Sequence, residues 1–303
     1  MPAIVPKSAS ALSARAVGLM LLLVTSVGWG LNWPAVKLLL QEWPPLFARG
    51  LAGLIAAGVL ALVATAAGQR IALPRKLIGR VVASAFFNVF AWMGLSTLAL
   101  HWLRAGEGAL IVYTMPAWAM LIAWPVQRRR PAVRGMAGLA LCLVGVGLLF
   151  GGNGLSLGPE KLPGILLALA SALLFALGTV VLEPLPLPPF TLVAWQLGIG
   201  CLPMLLAGLV FERPAIGTLS AVGVGTMIYM TIVPMGICYL TWFAALRRLP
   251  PSTAAITTML TPVVGVAAAS VILGEPFGVR EVAAIALTVT GIGLAVASRP
   301  PKA

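Results

Sequence analysis

The 303-residue sequence contains no Asp, a single His and three Cys, and charged residues make up only 9% of it. A soluble globular domain needs a charged surface, and about a quarter of its residues are usually charged. Here 60% of the residues are hydrophobic and the mean hydropathy is +1.05. These values exclude a soluble domain of this length and predict a protein with many membrane-spanning segments.

The shortage of acids and histidines also limits the chemistry that the chain can perform. No group of His and Glu has the spacing of metal ligands, and no Walker loop for ATP is present. Cys142, Cys201 and Cys238 all lie in apolar stretches and are interpreted as core residues. We therefore predict no metal, no cofactor and no enzymatic activity. A membrane-embedded lipid enzyme, with His101 as its lone histidine, is the least favoured alternative.

Ten apolar stretches, separated by short segments rich in Pro, Gly and charge, are long enough to cross a bilayer. Helices are expected, because lipid offers the backbone no hydrogen-bond partner and the alternating pattern of a barrel is absent. The predicted fold class is an all-α polytopic membrane protein with ten transmembrane helices. The spans are predicted at 16–40, 46–67, 79–100, 105–125, 133–151, 162–182, 191–211, 219–246, 252–273 and 279–298.

The net charge of +13 would suggest nucleic acid as the partner of a soluble protein, but here the basic residues are distributed by membrane side. The termini and the loops after the even-numbered spans hold 14 of the 20 Lys and Arg. By the positive-inside rule both termini are predicted to be cytoplasmic. The charge therefore predicts the lipid bilayer as partner and no nucleic acid.

The chain is predicted to be an internal duplication. A shift of 146 residues aligns Pro116 with Pro262 and Arg134 with Arg280, with 11 identities over the 47 positions 104–150. The shift carries five spans, an odd number, onto the next five, so the two copies must cross the membrane in opposite directions. Inverted repeats are common in transporters, whose substrate site lies near the midplane between the halves.

We assign the two five-helix repeats to residues 1–151 and 152–303, joined in one transmembrane domain. The sequence leaves the oligomeric state open between a monomer and a weak dimer.

The sequence resembles the drug/metabolite transporter superfamily, and within it the EamA-type ten-helix exporters. The resemblance rests on the following features, in this order: Trp29-Gly30-Leu31-Asn32 running to Lys37, Arg49 after a Pro-Pro turn, the proline-centred spans at Pro116 and Pro262, Leu273-Gly274-Glu275, and the glycine-ended fifth and tenth spans. It implies a cavity lined mainly by spans 1, 3, 4, 6, 8 and 9, with 5 and 10 peripheral. It also implies export of small metabolites, among which amino acids are a common class.

One departure from the duplication concerns Glu275. The first copy has Gln127-Arg128-Arg129 where the second has Leu273-Gly274-Glu275. A role carried over for Glu275 therefore has no symmetric partner in the first copy.

Polar and aromatic side chains inside the spans are the candidates for contact with a solute, since such groups usually face a protein interior or a cavity. The candidate substrate-binding residues are Trp29, Asn32, Ser84, Asn88, Trp92, Tyr113, Met120, Trp124, Trp195, Gln196, Tyr229, Tyr239, Thr257 and Thr261. Pro116, Pro234 and Pro262 are predicted to kink their helices. The alternatives are an interfacial tryptophan belt, interhelical hydrogen bonds and ordinary packing stripes.

Arg49, at the start of the second span, is open to two interpretations. It could hold a substrate carboxylate, or its side chain could extend to the membrane interface or pair with Glu42. We favour the second interpretation from the sequence. The predicted cavity-lining spans then contain no Lys or Arg at mid-depth, which argues against sugar phosphates and nucleotides as substrates.

These observations predict an exporter of the bacterial cytoplasmic (inner) membrane that carries small amphipathic metabolites by alternating access. Walls of Trp, Tyr and Met with Asn and Thr as hydrogen-bonding points favour aromatic or other large neutral amino acids. The alternative within the same fold is a lipid flippase. No carboxylate lies in the middle of a span, so the sequence does not decide between proton coupling and facilitated transport.

Overall fold

The computed structural model describes residues 7–128, 133–150, 159–215, 217, 219–249 and 257–297. Within these ranges every regular element is helical. The ten helices are α1 Lys7–Leu39, α2 Pro45–Ala66, α3 Arg75–Ala99, α4 Ala105–Gln127, α5 Val133–Phe150, α6 Leu162–Val181, α7 Pro189–Glu212, α8 Ala221–Leu246, α9 Leu260–Leu273 and α10 Val279–Ala297.

The helix bounds confirm the predicted spans to within a few residues, with one larger difference. The first helix begins at Lys7 rather than at residue 16. Seven of the helices are long and apolar enough to cross a membrane, and Val133–Gly145 and Leu260–Leu273 are shorter apolar stretches. The ends of the predicted spans at 151, 252–256 and 298, and the boundary between the two proposed repeats, lie outside the described residues.

Four irregular segments interrupt the helices near the middle of the bundle. α3 contains a π-helical segment, Phe86–Gly94, and α8 contains another, Val233–Ile237, which includes Pro234. α4 is broken by a turn at residues 113–114, just before Pro116, and a similar turn at 258–259 comes just before α9, which contains Pro262. These are the distortions that proline and π-bulges usually cause, and they occur at corresponding places in the two halves.

Helices that correspond under the 146-residue shift pack against each other. α5 lies against α10, and α2 lies against α7. Glycine allows the close approach: a Cβ at Gly291 would collide with the carbonyl oxygen of Gly138 and would lie 2.7 Å from the sulfur of Cys142. Such small-residue contacts are the usual basis of helix association in membranes, where the hydrophobic effect adds little between helices.

Substituting Gly291 with Ala tests this contact. The added methyl group forces α10 away from α5, and overpacking of this kind costs about 1–3 kcal/mol. We expect a lower midpoint of thermal unfolding for the purified protein in detergent. Gly293→Ala is the matched control in the same helix, since the nearest atom to its added Cβ would be the Met259 sulfur at 4.0 Å. Equal stability of the two variants would contradict the assigned contact.

Candidate functional site

A cavity of about 410 Å³ lies in the middle of the bundle, between the irregular segments of the two halves. In the first half, α1, α2, α3 and α4 contribute residues to its wall, and in the second half α6, α7, α8 and residues 258–259 do so. The resemblance implied walls from spans 1, 3, 4, 6, 8 and 9. The structure adds α2 and α7, and α10 contributes Ile292.

The structure brings half of the predicted binding residues together at this cavity. They are Trp29, Asn32, Asn88, Trp92, Tyr113, Gln196 and Tyr239, and Pro116 and Pro234 also line it. Asn88 and Trp92 come from the π-helical segment of α3, and Tyr113 comes from the turn in α4.

Ser84 lies beside the cavity and not on its wall. Its hydroxyl accepts hydrogen bonds from Gln196 Nε2 at 2.5 Å and from Asn88 Nδ2 at 3.1 Å. It therefore positions two amides that do line the cavity. The sequence predicted that Ser84, Asn88 and Trp92 share one helical face. Because α3 becomes π-helical at Phe86, Asn88 and Trp92 line the cavity whereas Ser84 does not.

The other predicted residues lie away from the cavity wall. Trp195 donates its indole N–H to the carbonyl of Ile71, and Tyr229 donates its hydroxyl to the carbonyl of Gly28. Trp124 is 48% exposed on the outside of the bundle. The remaining ones, Met120, Thr257, Thr261 and the kink residue Pro262, are also absent from the wall.

Sequence reasoning missed several aromatic and sulfur-containing residues of the wall. Phe175 packs against Trp92 with ring centroids 5.9 Å apart, and Trp242 packs against Trp29 at the same distance. Met235 and Phe243 complete this apolar surface. Trp242 follows Tyr239 by one helical turn, so a search for aromatic pairs spaced by three residues would have found it.

An aromatic cluster fixes the wall formed by α1 and α8. The Trp29 ring meets Tyr239 edge to face at 5.8 Å, and its indole N–H donates to the carbonyl of Pro234 at 3.0 Å. The π-helical segment of α8 is therefore bonded directly to α1. The cluster offers a rigid flat surface to an apolar or aromatic solute.

Arg49 is the main correction to the sequence analysis. Its side chain neither reaches the interface nor pairs with Glu42, since the residue is 3% exposed and lines the cavity. Its Nη1 donates to Asn32 Oδ1 at 3.4 Å, and its Nε has no hydrogen-bond partner. Glu42 instead binds Ser220, through both the backbone N–H and the hydroxyl at 2.6 Å. The cavity therefore contains a buried positive charge.

One end of the bundle is closed by carboxylates that bind the beginnings of helices in the other half. Glu275, after α9, accepts hydrogen bonds from the backbone N–H of Ala105 at 2.7 Å and of Gly106 at 3.1 Å, at the start of α4. Glu212, at the end of α7, binds the first turn of α2 in the same way. A carboxylate at a helix N-terminus satisfies otherwise unpaired donors and complements the helix dipole. Glu212 at the end of α7 therefore caps α2 in the way that Glu275 after α9 caps α4. The first copy has no corresponding acid.

Further polar contacts tie the same end together. Lys37 donates to the carbonyls of Leu100 and Leu103 after α3, and Lys161 pairs with Glu107 at 2.7 Å. Hydrogen bonds from the hydroxyl and backbone of Ser220 hold the pKa of Glu42 below its ordinary value. We call this the carboxylate end of the bundle.

The wall of the cavity is less buried at the opposite end. Leu192, Gln196 and Phe243 are half-buried there, whereas Val36 and Leu100 at the carboxylate end are buried. The loop after α2, which carries Arg70, borders this side, since Ile71 accepts a hydrogen bond from α7. This difference in burial favours access to the cavity from the end opposite the carboxylates.

Metal chemistry finds no support in the part of the chain that the structure describes. No three His, Cys, Asp or Glu side chains come together there as a metal site requires. The three cysteines are buried free thiols.

The match to a protein family identifies the class of protein that contains this cavity. The model of the EamA-like transporter family matches the chain twice, over residues 16–151 and 162–297. The chain belongs to the EamA-like transporter family. This transporter is a multi-pass protein of the bacterial inner membrane, and its family is one of transporters and not of enzymes.

Relatives of this transporter match over nearly its whole length. An uncharacterized transporter of Bacillus subtilis, YvbV, is 29% identical over 91% of this chain and 90% of its own. A probable amino-acid metabolite efflux pump of Salmonella typhimurium is 29% identical over 92% and 94%, and one of Escherichia coli is 26% identical over the same shares. A solved crystal structure that is 20% identical covers 93% of this chain and 96% of its own with a TM-score of 0.65, which shows the fold alone.

Thiol labelling of the transporter tests which end is open. In a variant that lacks the three native cysteines, we expect Leu192→Cys to react with a membrane-impermeant thiol reagent from the side on which Arg70→Cys also reacts. Leu100→Cys, at the deep end of the cavity, should resist a reagent applied from the opposite side. Rapid labelling of Leu100→Cys from that opposite side would contradict a closed carboxylate end.

A glutamine substitution tests the carboxylate cap on α4. Glu275→Gln keeps the side-chain length but replaces a charge-assisted acceptor, which is worth about 1.5–3 kcal/mol, by a neutral amide. We expect a lower unfolding midpoint and faster labelling of Leu100→Cys from the carboxylate end. Glu160→Gln is the matched control, because Glu160 is exposed. If both substitutions leave labelling unchanged, the cap does not hold this end closed.

Proposed function

We propose that this transporter exports small amphipathic metabolites from the cytoplasm, chiefly aromatic or other large neutral amino acids, by alternating access of the central cavity. The observation that carries the proposal is the form of the cavity: it is aromatic-walled, shared by both halves, less buried at one end, and flanked at the other end by carboxylates that join the halves. A channel would need a continuous path, whereas a carrier needs one closed end at a time.

The chemistry of the wall supports this substrate class. A volume of about 410 Å³ lies within the usual range for small-molecule sites, and the stacked surface of Trp29, Tyr239 and Trp242 suits a flat apolar side chain. Asn88 and Gln196, held by Ser84, supply hydrogen-bonding groups elsewhere on the wall. Two relatives are named as probable amino-acid metabolite efflux pumps, which agrees with an amino acid or a derivative as cargo.

The proposed orientation places both termini in the cytoplasm, so the cavity opens inward and the carboxylate end faces outward. The proposed inverted repeats, 1–151 and 152–303, then give two related conformations, one open to each side. Opening outward requires the carboxylate caps between the halves to separate. Substrate released from the cavity would then leave on the outer side.

Transport by purified protein in liposomes tests the proposal. We expect protein-dependent counterflow of labelled L-phenylalanine that unlabelled L-tryptophan inhibits. Trp92→Ala removes part of the aromatic wall and should lower the preference for phenylalanine over alanine by about 2- to 10-fold, the usual worth of one aromatic contact.

Trp124→Ala is the matched control, since Trp124 lies outside the cavity. Absence of protein-dependent flux for every amino acid tested would overturn the substrate class. An unchanged preference in Trp92→Ala, with normal expression, would show that this cavity is not the binding site.

A further inference from the structure

The buried guanidinium of Arg49 has no acidic side chain to neutralise its positive charge. A guanidinium has five N–H donors. Among the described residues its one hydrogen bond is the 3.4 Å contact to Asn32, and Nε has no partner. An uncompensated charge at such a position is costly to folding and, inside a membrane protein, points to a functional role.

The chain has no acidic side chain available for Arg49. Its seven acids are all glutamates, and all seven lie in described ranges. Six bind other groups: Glu42 binds Ser220, Glu107 binds Lys161, Glu183 binds Arg80, Glu212 and Glu275 cap helices, and Glu281 accepts from the backbone of Gly278. Glu160 is exposed near the start of α6. None of the seven lines the cavity.

A second unpaired donor lies on the same wall. The indole Nε1 of Trp92 is buried without a hydrogen-bond partner. Among the described residues, Arg49 Nε and Trp92 Nε1 are the cavity-lining side-chain atoms that are buried and unsatisfied, and both are donors. The unpaired donors of the cavity wall therefore lack an acceptor. Because Arg49 is positively charged, a negatively charged acceptor would bind best.

We infer that Arg49 binds the carboxylate of the transported solute, with Trp92 Nε1 as a second donor, and that the solute's ammonium group is dispensable. This inference rests on the proposed function and deepens it. A carboxylate matches the single positive charge and the planar donor face of a guanidinium. No acid on the wall matches an ammonium group, which meets only aromatic faces and neutral oxygens. The cargo class thereby extends to N-acylated and deaminated aromatic acids.

Three probes separate the two charged groups of the solute: L-phenylalanine, N-acetyl-L-phenylalanine and 2-phenylethylamine. Their binding is measured as thermal stabilisation of the purified full-length protein, which does not require transport. We expect both carboxylates to stabilise the protein and the amine to have no effect. Sodium chloride at the same concentrations distinguishes the solute's carboxylate from an inorganic anion.

Substitution of Arg49 provides the variant test. Arg49→Gln should lower the affinity for both carboxylates by roughly 10- to 100-fold, the usual effect of losing a charge-assisted hydrogen bond. Without ligand, its unfolding midpoint should equal or exceed that of the wild type, because an unmatched buried charge has been removed. A residue with a merely structural role would show the opposite. Arg49→Lys, which keeps the charge but loses the planar fork, should retain weakened binding and serves if Arg49→Gln does not fold.

Trp92→Phe tests the second donor, since it keeps an aromatic ring and removes the N–H. Affinity for the carboxylates should fall by about fivefold, as expected for one neutral hydrogen bond. Trp195→Phe is the matched control, because the Trp195 N–H is bound to Ile71 outside the cavity.

The outcomes distinguish this inference from the proposed function. Binding of 2-phenylethylamine equal to that of phenylalanine, unchanged affinity in Arg49→Gln, or equal stabilisation by chloride overturns the carboxylate assignment, while flux in liposomes would still support transport. Carboxylate-dependent binding without flux supports the assignment and counts against the transport proposal. Failure of all three probes in both binding and flux overturns both.

Discussion

Inside a bilayer, every polar group must find its partner within the protein, and the organisation of this transporter depends on that constraint. A continuous helix satisfies the hydrogen-bonding groups of its own backbone. Where α2 and α4 begin at the carboxylate end, other groups must accept from the first backbone N–H donors, and Glu212 and Glu275 supply these acceptors. Arg49 is the exception, because the chain offers it no acid. The same constraint therefore explains the caps at the helix starts and motivates the proposal that the cavity receives a carboxylate.

The duplication bears on how the two halves can move relative to each other. Corresponding helices pack in pairs, α2 with α7 and α5 with α10, and the close contact at Gly291 suits a static support. The irregular segments of α3, α4 and α8 line the cavity between these supports. A close α5–α10 contact beside a distorted centre would let the halves tilt while each helix keeps its own backbone hydrogen bonds. The carboxylate caps are the contacts that such a tilt would break.

The sequence predicted the helices well because apolar length decides membrane insertion. Turns at residues 113–114 and 258–259 lie just before Pro116 and Pro262, two of the residues predicted to kink their helices. The sequence predicted individual cavity residues less well. Ser84 and Asn88 are one turn apart, yet the π-helical segment begins between them, and Asn88 and Trp92 within it line the cavity whereas Ser84 does not. Arg49 was misjudged because its depth depends on how α2 packs against its neighbours. No local pattern reports that packing, whereas the absence of Asp and the few glutamates already showed that a buried arginine would lack an acid.

Crosslinking across the carboxylate end tests most directly whether the halves must separate there during transport. Cysteines replacing Gly106 and Glu275, in a protein without Cys142, Cys201 and Cys238, would be joined by a short bifunctional methanethiosulfonate, which forms a reducible disulfide with each cysteine, because a Cβ at Gly106 would lie 3.3 Å from the Glu275 carboxylate. Counterflow of phenylalanine in liposomes should cease on crosslinking and return on reduction, and each single-cysteine variant should be indifferent to the reagent. Full flux through completely crosslinked protein would contradict alternating access.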